Sequence, residues 1–166
     1  MNGPVLIFEA GRLSVRIGPD ALATFDAHRQ KRFYHREAGG QLFARVRGDD
    51  WEIVAATGPR SRDRRGRFSF RPHRDSEQEE IYHHHALGFD YVGDWHTHPE
   101  DEPTPSPEDL WSIAEVVRRS THHLAGFLLV IVGRRPFPDG LWASFHFVGG
   151  AQVDARRKRL SSVTEG

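Results

Sequence analysis

Tyr91-Val92-Gly93-Asp94-Trp95-His96-Thr97-His98-Pro99 reads as a strand that runs into a proline. Tyr91, Val92 and Trp95 suit a pleated backbone. Alternate side chains of an extended chain point the same way, so His96 and His98 share a face and a strand end presents two imidazoles. Seven residues beyond the proline stands Ser106-Pro107-Glu108-Asp109. Ser106 suits a helix N-cap and Pro107 the first helical position, with Leu110, Ile113, Ala114 and Val117 at helical spacing behind them. Asp109 then lies in the first turn, aimed back at the strand end. Two histidines and one carboxylate, with a fourth position left to water, match a catalytic rather than a structural zinc site. Ser106 and Asp109 also satisfy a capping box. That box and an HxH on a strand are each common alone; HxHP, six residues, then Ser and an Asp three places on is a far more specific combination.

The combination resembles the signature of the JAMM or MPN-plus metalloproteases, an upstream Glu followed by HxHPx(6)SxxD. His96, His98, Pro99, Ser106 and Asp109 supply its fixed positions, and Glu37-Ala38-Gly39-Gly40-Gln41-Leu42 fits the upstream element. Tyr91 to Pro99, with Phe70-Arg71-Pro72-His73-Arg74-Asp75, looks like the stand-alone prokaryotic branch found with mobile and conjugative elements. One departure is Ala44, where many members carry glycine; a packing change is expected there. The resemblance implies an α/β sandwich with a mixed, mostly antiparallel sheet flanked by helices, in the cytidine-deaminase-like layout of MPN domains. It implies one Zn2+ on His96, His98 and Asp109, with Glu37 as general base and Ser106 as hydrogen-bond donor to the developing oxyanion. A hydroxyl that caps a helix has less to give an oxyanion, so the two readings of Ser106 compete. Gly39 and Gly40 would let an extended substrate approach closely. The implied reaction is cleavage of the amide at the C-terminus of a ubiquitin-like modifier, as deconjugation or maturation, with E1- and E2-like enzymes as further partners.

Composition agrees with one domain. At 166 residues the chain can bury one core. Lys plus Arg and Asp plus Glu both number 23, so no global field draws it to nucleic acid or anionic lipid. Without cysteine it lacks disulfides, thiolate ligands and the ligand pair of zinc deaminases. Met1-Asn2-Gly3-Pro4 does not open like a secretory signal, and no apolar run approaches the ~20 residues of a membrane span, so a cytoplasmic enzyme is expected. A complete ligand set argues against a catalytically silent MPN scaffold, and neutral total charge against a nucleic-acid binder.

Elements follow from pattern. Val5 to Phe8 and Leu13 to Ile17 form a hairpin, and Gly18-Pro19-Asp20 opens a helix to about Gln30 with Leu22, Phe25 and Arg29 on one face. Gln41 to Arg47 and Trp51 to Thr57 form a second hairpin. The Arg-rich stretch Gly58 to Arg67 reads as a mobile loop and Phe68 to Phe70 as a short strand. A helix runs from Asp75 to Leu87, capped by Gly88, and another from Ser106 to Ser120. Leu124 to Val132 is apolar enough for a doubly covered strand, with Leu141 to Val148 beside it. The catalytic domain spans 1–150, and 151–166 is a basic tail expected to fray. His83-His84-His85 lie on a helix and diverge by ~100° per residue, so they cannot face one metal. His122 and His123 fall at a helix end, where positive charge offsets the dipole. His35 could orient Glu37, and Trp95 and Trp111 are expected in the core. Glu100, Asp101 and Glu102 are the reserve candidates for the base.

Overall fold

The computed structural model describes residues 3–120 and 122–162, from 156 onward as backbone only. In chain order the elements are β1 (Pro4–Ala10), β2 (Leu13–Ile17), α1 (Pro19–Ala27), β3 (Gly39–Arg47), β4 (Asp50–Ala56), β5 (Arg64–Arg65), β6 (Phe70–Arg71), α2 (Arg74–Ala86), β7 (Asp90–Thr97), α3 (Pro107–Arg119), β8 (Gly126–Val132), β9 (Leu141–Phe147), β10 (Gln152–Asp154) and β11 (Arg156–Ser162). Nine strands form one sheet in the order β10-β9-β8-β7-β3-β4-β2-β1-β11. β7 with β8 and β2 with β4 are parallel, and the other pairs are antiparallel. The chain is thus an α/β protein with a mixed, mostly antiparallel sheet and three helices.

β8 shows why its sequence is uniformly apolar. Leu128, Val130 and Val132 join the main core with Phe8, Ile17, Leu22, Phe25, Ile53, Trp95 and Phe145. Phe127, Leu129 and Ile131 face the other way, onto Ile113 and its neighbours on α3. Both faces of the strand are covered. β7 lies between β8 and β3, in the middle of the sheet, so its C-terminal end is held by neighbours on both sides. The parallel pairing sets His96 beside Ile131, and the antiparallel pairing sets it beside Gly39.

Four regions differ from the sequence reading. α1 stops at Ala27 instead of Gln30, and His28 closes it by donating its N–H to Phe25 O. Arg29 is nevertheless buried, its guanidinium 4.4 Å from the Phe137 ring centroid. The stretch 58–67, expected to be mobile, is pinned by the Asp63 carboxylate, which accepts from Arg60 N at 2.8 Å and His73 N at 2.7 Å. Arg60 also grips Glu80 of α2, and Arg64 and Arg65 pair with β6. Trp111 is 65% exposed: it follows Leu110 by one position, ~100° round the helix from the face that covers β8. The segment expected to fray beyond 150 is paired instead. Gln152 to Asp154 add to β9, and Arg156 to Ser162 add to β1. Ladder bonds use backbone groups, and a side-chain run that reads as polar and basic does not forbid them. Residues 163–166 lie outside the described residues.

Candidate active site

The end of β7 and the start of α3 meet as the spacing requires. Nε2 of His96 and Nε2 of His98 are 3.1 Å apart. Asp109 reaches both, Oδ1 lying 3.1 Å from His96 Nε2 and Oδ2 lying 3.1 Å from His98 Nε2. Two nitrogens on one tetrahedral zinc at ~2.0–2.1 Å would stand ~3.3 Å apart. The two nitrogens already stand at about that spacing, and one carboxylate spans them, so the donor set fits the metal. Two imidazole nitrogens this close also need a shared cation or proton between them.

Two of the donors are held from behind. His98 N donates to Val132 O at 3.0 Å, and Nδ1 of its ring lies 3.0 Å from Glu100 Oε1. Asp109 sits in a complete capping box: its N–H donates to Ser106 Oγ at 3.1 Å, and Ser106 N donates to Asp109 Oδ2 at 2.8 Å. Burial pushes the Asp109 carboxyl up, but hydrogen bonds from His96 and His98 outweigh it and hold the group well below the usual carboxylate range. Burial lowers His98, and the bond to Asp109 with the charges around it outweighs that and raises it.

Glu37 precedes β3 and points at the same corner, Oε1 lying 3.7 Å from His98 Nε2. It is buried. Desolvation pushes its pKa up to about 7, against the pull of His96 and His98. Its main chain is tied to the β5–β6 hairpin, with Glu37 N donating to Gly66 O at 2.6 Å and Arg65 Nε donating to Glu37 O at 2.7 Å.

Residues 19–147 match the family described as prokaryotic homologs of the JAB domain. The chain belongs to that family. Its relatives include proteins named CD-NTase/cGAS isopeptidase from Pseudomonas aeruginosa, 33% identical over 135 residues covering 74% of this chain and 79% of that one, and from Vibrio cholerae, 34% identical over 114 residues covering 67% and 70%. A third protein of that name, from Escherichia coli, is 28% identical over 73% of this chain and 77% of its own. A solution structure of a protein from Desulfitobacterium hafniense shares the fold, with a TM-score of 0.55 at 18% identity, covering 82% of this chain and 84% of that one.

The JAB domain thus brings Glu37, His96, His98, Ser106 and Asp109 to one corner. Other expectations are redirected. Gly39 and Gly40 are crowded by the protein itself: a Cβ on Gly40 would lie 1.7 Å from Thr57 O, and one on Gly39 2.7 Å from Trp95 O. Their smallness serves packing of the sheet. His35 accepts from Arg32 N at 3.4 Å and does not orient Glu37. Asp101 and Glu102 pair with Arg134 and Arg135, and Glu100 lies behind His98. That last position was missed: a carboxylate in an acidic loop has no periodicity to mark it, and only its place two residues after His98 could have flagged it. Trp95 is core, its Nε1 donating to Thr57 O at 2.8 Å. Among the described residues, no helix is long and apolar enough to cross a membrane.

Proposed function

We propose that this chain is a zinc-dependent isopeptidase of the cytoplasm, cutting the amide between the C-terminus of one protein and a lysine side chain of another. The observation that carries it is the His96–His98 pair, its Nε2 atoms 3.1 Å apart and spanned by the two Asp109 oxygens, with the buried Glu37 carboxylate 3.7 Å from His98. His96, His98 and Asp109 would hold the metal in a sandwich of the cytidine-deaminase-like type. Bound zinc supplies Lewis acidity, which brings the pKa of a coordinated water to ~7. Glu37 takes a proton at Oε1 from the attacking water and returns it to the leaving lysine amine. In this reading Ser106 serves as cap and donor with different atoms. Its Oγ accepts from Asp109 N, which leaves the hydroxyl proton free to donate to the carbonyl oxygen as charge develops there.

The relatives' shared name points to a CD-NTase/cGAS-like protein as a member of the conjugate, and we place it on the carboxyl side of the bond; family resemblance alone points to a ubiquitin-like modifier. The experiment offers zinc-loaded wild type and Glu37→Gln two kinds of substrate, a CD-NTase and a ubiquitin-like protein, each with a peptide joined to its C-terminus. Release is followed by mass spectrometry. Wild type is expected to cut directly after the terminal residue of the CD-NTase, and Glu37→Gln to keep zinc and fail. Cleavage of the ubiquitin-like substrate alone would shift the carboxyl-side partner to that class. A Glu37→Gln enzyme as fast as wild type would remove Glu37 from the mechanism, and zinc-loaded wild type that cuts neither would favour a binding role.

A further inference from the structure

A chain of buried hydrogen bonds runs behind the site and uses none of the groups assigned so far. Thr97 lies between His96 and His98 and points to the opposite face of β7. Its Oγ1 accepts from Ala38 N at 2.9 Å and donates to Gln30 Oε1 at 2.8 Å. Thr97 N also donates to Ala38 O at 2.8 Å, so the two residues are doubly joined. Gln30 Nε2 donates to Arg67 O at 2.8 Å and to His35 O at 3.3 Å. Gln30, Thr97 and Ala38 are at most 1% exposed.

We propose that Gln30 and Thr97 are positioning residues that set Glu37 against the histidine pair, an inference that rests on the isopeptidase reading above. Glu37 lies on a segment outside the regular sheet, so its distance to His98 is not given by strand pairing alone. Ala38, its neighbour, is fixed to the backbone between the two histidines through Thr97. Gln30 joins that hydroxyl to the carbonyls of Arg67 and His35, on the two loops that flank Glu37. Burying an amide and a hydroxyl costs free energy that their bonds offset. What the polar chain adds is geometry. A shift of ~1 Å in a reacting group can cost ~10²-fold in rate.

The test uses full-length, zinc-loaded protein on whichever conjugate the wild type cuts, below the melting point of every variant. Thr97→Val keeps the shape and removes donor and acceptor together. It is expected to lower kcat by ~10²-fold with KM and zinc content unchanged, and Gln30→Ala to act the same way more weakly. Thr97→Ser restores the hydroxyl and most of kcat. In a Glu37→Gln background, Thr97→Val should add no further loss, as for residues that act as one unit. Wild-type kcat in Thr97→Val, or a loss confined to KM or zinc, overturns the proposal. If wild type cuts nothing, the isopeptidase reading fails first, and the relay is judged by hydrogen exchange. Exchange at the Glu37 and Ala38 amides should rise in Thr97→Val and Gln30→Ala but not in Thr97→Ser; unchanged exchange overturns it.

Discussion

Two of the chain's histidine clusters come to opposite uses. His96 and His98 stand on a central strand with their Nε2 atoms 3.1 Å apart and a carboxylate across them. His83, His84 and His85 stand on α2, a helix with no buried residue. There His84 Nδ1 bonds to Glu80 O at 2.8 Å, and its ring stacks on Phe43 at 3.9 Å. A period of two gathers alternate side chains, whereas ~100° per residue scatters neighbours. Density of histidine therefore says less about metal than the backbone that carries it.

Removing a donor is the severest way to break that contrast. His96→Ala and Asp109→Ala are each expected to lose most of the zinc, and with it all turnover, while His84→Ala keeps about one zinc per chain. Elemental analysis of protein purified without chelator reads both, and equal zinc in all three variants would erase the distinction between strand and helix. Next in size is Ser106→Ala, for which turnover should fall ~10²-fold or more with zinc retained, against ~1 kcal/mol of stability from the lost cap. Unchanged turnover would leave the hydroxyl with the cap alone. Glu100→Gln sharpens the comparison from behind His98: a carboxylate backing a metal-bound imidazole typically accounts for ~10–100-fold in affinity. Zinc competition against a chelator of known strength measures it, and an unaltered affinity would make the 3.0 Å contact incidental.

The smallest effect concerns acids on the two sides of the comparison. Glu77 on α2 is half-buried, and that partial loss of solvent pushes it up to about 7, with Asp94 adding to the shift. The folded chain thus holds the proton more tightly than the unfolded chain, whose carboxyl sits near 4.5. The stabilising contribution is full below ~4.5 and is lost as pH rises to about 7. Glu77→Gln should flatten the decline of melting temperature across that window and leave zinc content alone. A decline as steep as wild type would show that Glu77 does not titrate there.

How much of this was legible depends on sequence distance. HxHP and SxxD are local patterns whose geometry follows from one strand end and one helix start, and the structure closes both as read. Glu37 could be marked only through the Gly-Gly-Gln-Leu that follows it, and the structure gives those glycines a packing reason of their own, the close approach of Thr57 and Trp95. The Gln30 to Thr97 bond spans 67 positions and joins residues with no shared period, so nothing in the sequence joins them. Asp63 likewise looked like one more charge in an Arg-rich loop. Its carboxylate is fully enclosed and organises that loop. Patterning reports which faces are apolar; it is silent on which buried polar group finds which partner.

The final described strands have a consequence for synthesis. β10 and β11 are separated only by Ala155, yet one lies against β9 and the other against β1, at opposite ends of the strand order. A single stretch of chain thus fastens the two ends of the sheet to each other. On the ribosome, β1 emerges long before β11, and its outer edge has no partner until β11 follows. Contacts of such long sequence separation form slowly, and an unpaired strand edge is a template for other chains. The nascent chain therefore carries an open edge at β1 for as long as β11 is missing.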